Sequence, residues 1–177
     1  ECLVGSEMCI RDRCYYDKVS SFEAFGNVKM VQGDTLFLYG DRLYYDGLTQ
    51  IAEMRCNVRM ENRTTTLLTD SLNYDRVYNL GYFFDGGTLM DEQNVLTSEW
   101  GEYSPQTKQS VFNYNVKLVN PQFTLTSDTL RYNTASKVAD IVGPSDIWSD
   151  ANHIYSEKGT YNTVTGKADL YDRSVLT

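Results

Sequence analysis

The sequence predicts an all-β protein built from a tandem repeat, and three observations carry that expectation. A tyrosine recurs every 29 residues, at Tyr16, Tyr45, Tyr74, Tyr103, Tyr132 and Tyr161, with no insertion or deletion. Around each tyrosine apolar and polar residues alternate with period two, the pattern of a strand with one buried face. Tyr (14) and Thr (17) are abundant and Pro (3) is scarce, which favours strands. No stretch of helical length carries an amphipathic 3.6-residue period.

Each element of the repeat follows from its columns. Seven residues before the tyrosine stands Leu38, Leu67, Leu96, Leu125 or Ile154. Five before is a small residue: Gly40, Thr69, Ser98, Ser127 or Ser156. Four before is an acid: Asp41, Asp70, Glu99, Asp128 or Glu157, with Asp12 falling in the same column. Two before is Leu43, Leu72 or Leu130, replaced by Gly101 and Gly159. The residue after the tyrosine is a turn former: Asp17, Asp46, Asp75, Ser104, Asn133 or Asn162. Seven after is small (Ala52, Gly81, Ser110, Ala139, Ala168), and nine after is apolar (Phe25, Met54, Phe83, Phe112, Ile141, Leu170). One unit therefore reads as strand, short loop, strand, with a further strand reaching the next copy. About 12 or more short strands are expected, stacked so that neighbours bury a continuous core.

Composition bounds the function. The net charge is −8 and the pI about 4.6, which argues against a nucleic-acid partner. No apolar run is long enough for a spanning helix. Residues 1–13 resemble a translated adapter read-through, and no signal peptide is visible, so 14–177 is expected to be a single repeat domain from a longer chain. Outside the first 13 residues only Cys14 and Cys56 remain, which supports neither a zinc site nor a disulfide framework.

Chemistry is thin. His153 is the only histidine and is expected on the solvent face of its strand. No nucleophile elbow, phosphate loop or zinc motif is present. No enzyme, metal or cofactor is expected. The acid column reads either as a cation or basic-partner ladder or as a solvated row at strand entry. The tyrosine column reads as a core ladder whose hydroxyls reach the rim, or as a stacking platform for sugars or acyl chains.

The units end in recurring Asn-Val steps: Gly26-Asn27-Val28, Cys56-Asn57-Val58 and Tyr114-Asn115-Val116. The fullest copy runs from Gly40 to Met60, as Gly-Asp-Arg-Leu-Tyr-Tyr-Asp, a loop, Ala-Glu-Met, then Asn-Val-Arg-Met. In these features the chain resembles the OstA/LptA-like lipopolysaccharide-transport family over about residues 15–177. It departs from the pattern at Gly101, at Gly159 and at Asp85-Gly86-Gly87-Thr88-Leu89. The resemblance implies a twisted, partly open β-jellyroll of antiparallel strands; the alternative is a parallel β-solenoid with a structural or adhesive role. It implies a periplasmic or outer-membrane-associated protein holding lipopolysaccharide or another acylated envelope lipid in an apolar groove. It also implies partners of the same jellyroll type, stacked edge to edge. The lining expected from the columns is Leu38, Leu43, Tyr45, Ala52, Met54, Leu67, Leu72, Tyr74, Phe83, Leu96, Phe112, Leu125, Leu130, Tyr132, Ile141 and Leu170.

Overall fold

Period-two alternation folds the chain into strands throughout. The computed structural model describes residues 7–10, 13–16, 21–150 and 152–177, with side chains from residue 21 onward. Cys2, Asp12 and Asp17 lie outside the described residues, as do the side chains of Cys9, Cys14 and Tyr16. The strands are β1 (Glu7–Ile10), β2 (Arg13–Tyr16), β3 (Ser21–Gln32), β4 (Leu36–Asp46), β5 (Ile51–Asn62) and β6 (Thr65–Asp75). They continue as β7 (Leu80–Phe83), β8 (Gly87–Asp91), β9 (Asn94–Ser98), β10 (Trp100–Tyr103), β11 (Gln109–Asn120) and β12 (Phe123–Asn133). The last are β13 (Val138–Ile141), β14 (Ser145–Ser149), β15 (Asn152–Ser156), β16 (Lys158–Asn162), β17 (Ala168–Tyr171) and β18 (Val175–Leu176). Among the described residues there is no helix. Among the described residues every strand pairing is antiparallel, so the parallel solenoid is not the arrangement adopted.

The strands are not all short. β3, β4, β5, β6, β11 and β12 each run 11 or 12 residues and bend midway, contributing one half to each of two sheets. The pairs β7/β8, β9/β10, β13/β14 and β15/β16 are equivalent strands interrupted at the bend. Sheet I runs β1, β2, the first half of β3, the second half of β4, the first of β5, the second of β6, then β7, β10, β11, β12, β13, β16 and β17. Sheet II takes the complementary halves and β8, β9, β14, β15 and β18. The two sheets therefore share a corner along one side and meet at a mouth of turns along the other.

The corner accounts for three sequence columns. Four of the strands running from sheet I to sheet II turn through a left-handed pair: Gly26 and Asn27, Cys56 and Asn57, Tyr114 and Asn115, Asp172 and Arg173. Asn tolerates this conformation better than most residues, which is why the Asn-Val steps recur here. The ladders shift register at these bulges, between Phe25 and Val28, Arg55 and Val58, and Asn113 and Val116. Strands running the other way turn at the small column, where the hydroxyls of Ser98, Ser127 and Ser156 each donate to the carbonyl two residues on (2.8, 2.9 and 2.8 Å). The acid column does not lie at strand entry, as the sequence suggested, but at this bend. The Asn57 side chain donates to Asp41 (2.6 Å), its amide donates to Asp70 (3.0 Å), and the Asn115 side chain donates to Glu99. These carboxylates cap the corner of the neighbouring strand.

At the mouth of sheet I each turn is closed in one way. The residue after the tyrosine caps the turn: Asp46 accepts from the Leu48 amide (2.9 Å), Asp75 from Val77 (2.8 Å), Asn133 from Ala135 (2.9 Å) and Asn162 from Val164 (3.0 Å). The turn ends on a left-handed residue, and these residues also form a column: Gln50, Asn79, Lys108, Lys137 and Gly166.

Phe25 breaks with expectation. It lies on the outer face, 38% exposed beneath the Arg42 guanidinium, and Ala24 takes the inner place opposite Leu43. The hairpin joining β3 to β4 leaves three residues between Gln32 and Leu36, whereas the one joining β5 to β6 leaves two between Asn62 and Thr65. The extra residue slides β3 by one position, which turns every side chain over.

Candidate functional site

The interior between the sheets runs along the described strands from Phe22 to Leu170. In sheet I, inward residues pair across strands as Tyr45, Ala52, Tyr74, Gly81, Tyr103, Ser110, Tyr132, Ala139, Tyr161 and Ala168. From Tyr74 to Tyr161 each tyrosine is flanked on both sides by a small residue, so the small column makes room for the rings, whereas Tyr45 has Ala52 on one side and the Phe22 ring, 5.4 Å away, on the other. The next rung inward is Leu43, Met54, Leu72, Phe83, Gly101, Phe112, Leu130, Ile141, Gly159 and Leu170. The two glycines that replace leucine here are fitted to their neighbours. A Cβ at Gly101 would fall 2.6 Å from the Phe83 ring, and one at Gly159 would fall 2.7 Å from the Leu170 side chain. Phe83 also covers Gly87, whose Cβ would lie 2.7 Å from the same ring.

Sheet II faces this with Leu38, Met60, Leu67, Leu89, Leu96, Leu118, Leu125, Ile147 and Ile154. All sixteen expected lining residues point inward and join one apolar cluster; fourteen are buried, and Tyr45 and Leu170 are partly so. They pack against one another, so the interior is filled by side chains.

The mouth is closed by polar side chains reaching from sheet to sheet. Asp91, on sheet II and fully buried, accepts two bonds from Lys137 Nζ (2.7 and 2.8 Å) and one from the Tyr132 hydroxyl (2.8 Å). Asn94 donates to the Tyr132 hydroxyl (3.0 Å) and to Thr163 (3.1 Å), and accepts from Asn120 (2.8 Å). One repeat earlier, Asn62 accepts from the Tyr103 hydroxyl (3.2 Å) and from Lys108. Earlier still, Gln32 donates to Asn79 (2.5 Å) and accepts from Arg76 (3.3 Å). Two positions of the same rung are apolar: Leu36, between Gln32 and Asn62, is buried, and Phe123, between Asn120 and Ser149, lies 4.4 Å from the Tyr161 ring.

Burial sets the protonation of these groups. It pushes the Tyr74 phenol up to about 12. It also raises Tyr132, whose bond to Asp91 adds to the effect. Tyr103 is raised by burial as well, and Lys108 is lowered by the same cause. The tyrosines are therefore neutral hydrogen-bond donors at the rim, with their rings in the core.

His153 lies on the outer face of β15, stacked on Trp148 (3.7 Å between ring centroids) and 2.6 Å from Asp146. Among the described residues no group of three or more His, Cys, Asp or Glu side chains is placed to hold a metal.

A sequence model of the family described as "OstA-like protein" matches residues 4–128, more than half of the chain. The chain belongs to the OstA-like family. No curated protein matches this OstA-like chain. Among solved structures it is similar to LptH of Pseudomonas aeruginosa, described as the LptA-homologous periplasmic component of a lipopolysaccharide transport device. That match has 11% identity and a TM-score of 0.34, and covers 80% of this chain and 93% of LptH.

Two features of the OstA-like interior escaped the sequence reading. Met60, Leu89, Leu118 and Ile147 form a lining column of their own at the repeat spacing, between the leucines seven before the tyrosine. That column was there to be found. The rim ladder was not, because Asp91 and Lys137 are 46 residues apart, which is no multiple of the repeat.

Proposed function

We propose that the chain binds an acylated envelope lipid, lipopolysaccharide foremost, by taking its acyl chains between the two sheets, and that it serves in lipopolysaccharide transport to the outer membrane. Membership of the OstA-like family supports the transport role. The observation that carries the binding role is the unbroken apolar interior from Leu38 to Ile154 on one sheet and from Leu43 to Leu170 on the other. Acyl chains are held by area, at roughly 25 cal/mol per Å² of apolar surface removed from water, so many weak contacts share the binding. Partner jellyroll modules would add strands at an exposed edge such as β17, in the periplasm or at the outer membrane.

The test is binding of the purified chain to lipopolysaccharide, with lipid A and deacylated polysaccharide as comparisons. Saturable binding that requires the acyl chains is expected. A folded β protein that binds none of the three would instead be a structural repeat with a permanently filled interior.

A further inference from the structure

The interior is closed on both sides, by the chain itself at the corner and by side chains alone at the mouth. A lipid can therefore enter between the sheets laterally only if the mouth parts. The bonds there are of an unusual kind for a seam. Asp91 is wholly buried and Lys137 mostly so, and such an ion pair is a poor way to hold two surfaces together compared with apolar residues of similar size. Apolar residues do fit this rung, since Leu36, between Gln32 and Asn62, and Phe123, between Asn120 and Ser149, occupy it. Among the described residues the one buried ion pair, Asp91 with Lys137, lies between these two apolar positions.

The pair is also chemically exchangeable. Lys137 Nζ already lies between Asp91 (2.7 Å) and Glu92 (3.3 Å), with 14% of its side chain exposed to water. Lys108, one repeat earlier, makes the same kind of reach to Asn62. An ammonium that leaves a carboxylate needs another anion, and phosphate oxygens are strong acceptors for it.

We propose that the seam centred on Asp91, Lys137 and Tyr132 is a latch on the lipid interior, opened when Lys137 exchanges Asp91 for a phosphate on the head group of an incoming acylated lipid. The proposal rests on the lipid-binding reading above for its ligand, but the latch itself is measurable without lipid. With the mouth open, Lys108 and Lys137 line one rim and hold the anionic head while the acyl chains lie between the sheets. Phosphorylated lipids enter faster than dephosphorylated ones of the same acylation.

The experiment compares the wild-type chain with Lys137→Met and with the double variant Asp91→Leu/Lys137→Met. Hydrogen exchange is followed in free protein, and uptake of labelled lipid A, with and without its phosphates, is followed by stopped flow. In free Lys137→Met, amides of the Asp91–Asn94 turn and the 133–138 loop exchange at least tenfold faster, while corner amides at 56–58 and 114–116 do not change. The double variant, with an apolar seam, regains wild-type protection. It takes up phosphorylated lipid A at least tenfold more slowly than wild type and no longer prefers it to the dephosphorylated form. The double variant also covers the case in which Lys137→Met fails to fold. Wild-type uptake rate and phosphate preference in the double variant would overturn the latch. So would mouth amides in folded Lys137→Met that exchange as in wild type. If no protein binds lipid A, the lipid reading fails, and the exchange data alone decide whether the mouth opens as a unit.

Discussion

Gly101 shows how single residues are fitted in this molecule. It stands in a leucine column, yet Phe83 and Phe112 flank it, and a Cβ would meet both rings (2.6 and 3.0 Å). Gly101→Leu should therefore cost about 1–3 kcal/mol in urea unfolding, the usual range for overpacking. Adding Phe83→Ala should recover part of that loss, because the ring is what fills the space. The departure was legible in the sequence as a substitution, but its cause was not, because it lies on the adjacent strands. The buried tyrosines give a second prediction at this scale. The Tyr74 phenol is raised from 10 to about 12 by burial. A group whose folded pKa is raised contributes stability that is fully present below the unfolded value and lost as pH rises through the folded one. Stability should thus hold to pH 10 and fall between 10 and 12, by about 2–3 kcal/mol for a shift of this size at Tyr74. Phenolate absorbance followed alongside urea unfolding checks this. The Tyr74 phenol should ionise in the folded chain only near pH 12.

Four of the corners use a left-handed pair, and the turns at the sheet I mouth are built from one backbone device, a left-handed residue at a fixed place in each copy from Gln50 to Gly166. Gln50 occupies it with φ of 58° and an exposed side chain. Gln50→Gly should stabilise by about 0.5–1 kcal/mol, and Gln50→Val should destabilise by at least about 1 kcal/mol, because a β-branched residue resists positive φ. Chemical denaturation of the two variants gives both signs. At the corner, Asn57→Ala removes the bond to Asp41 and the residue best suited to the bend, at a cost of about 1–2 kcal/mol. The strands themselves were readable from alternation, and the turns at the sheet I mouth from their Asp, Ser and Asn caps. The bends were not. Asp41, Asp70 and Glu99 looked like the start of a strand because a bulge keeps alternation going on both sides of it. Phe25 kept its place in the tyrosine register, and the slip of β3 showed only in the Asn-Val steps, where Asn27 and Asn57 stand 30 residues apart while Asn57 and Asn115 stand 58, twice 29.

Across the whole molecule each copy touches mainly its neighbours, so stability is close to a sum of units and interfaces. Leu96→Ala, fully buried mid-stack, should cost about 2–5 kcal/mol, and Leu170→Ala, half-buried near the edge, distinctly less. Urea unfolding of the two variants measures the gradient. The repeat, the all-β class and all sixteen inward positions could be read from one sequence because each copy repeats the same physical problem. The sheet-to-sheet contacts could not, because they join positions 46 residues apart, out of step with the repeat. The strict register of the ladders has one more result. Each 29-residue unit adds two strands to each sheet, or roughly 10 Å of length along the stack. A duplication of one whole unit would join without a seam, whereas gain or loss of a residue within a strand would invert a face. The reach of such a protein is therefore inherited in fixed steps, and a lineage can lengthen or shorten it by recombination within the gene while every strand keeps its inward face.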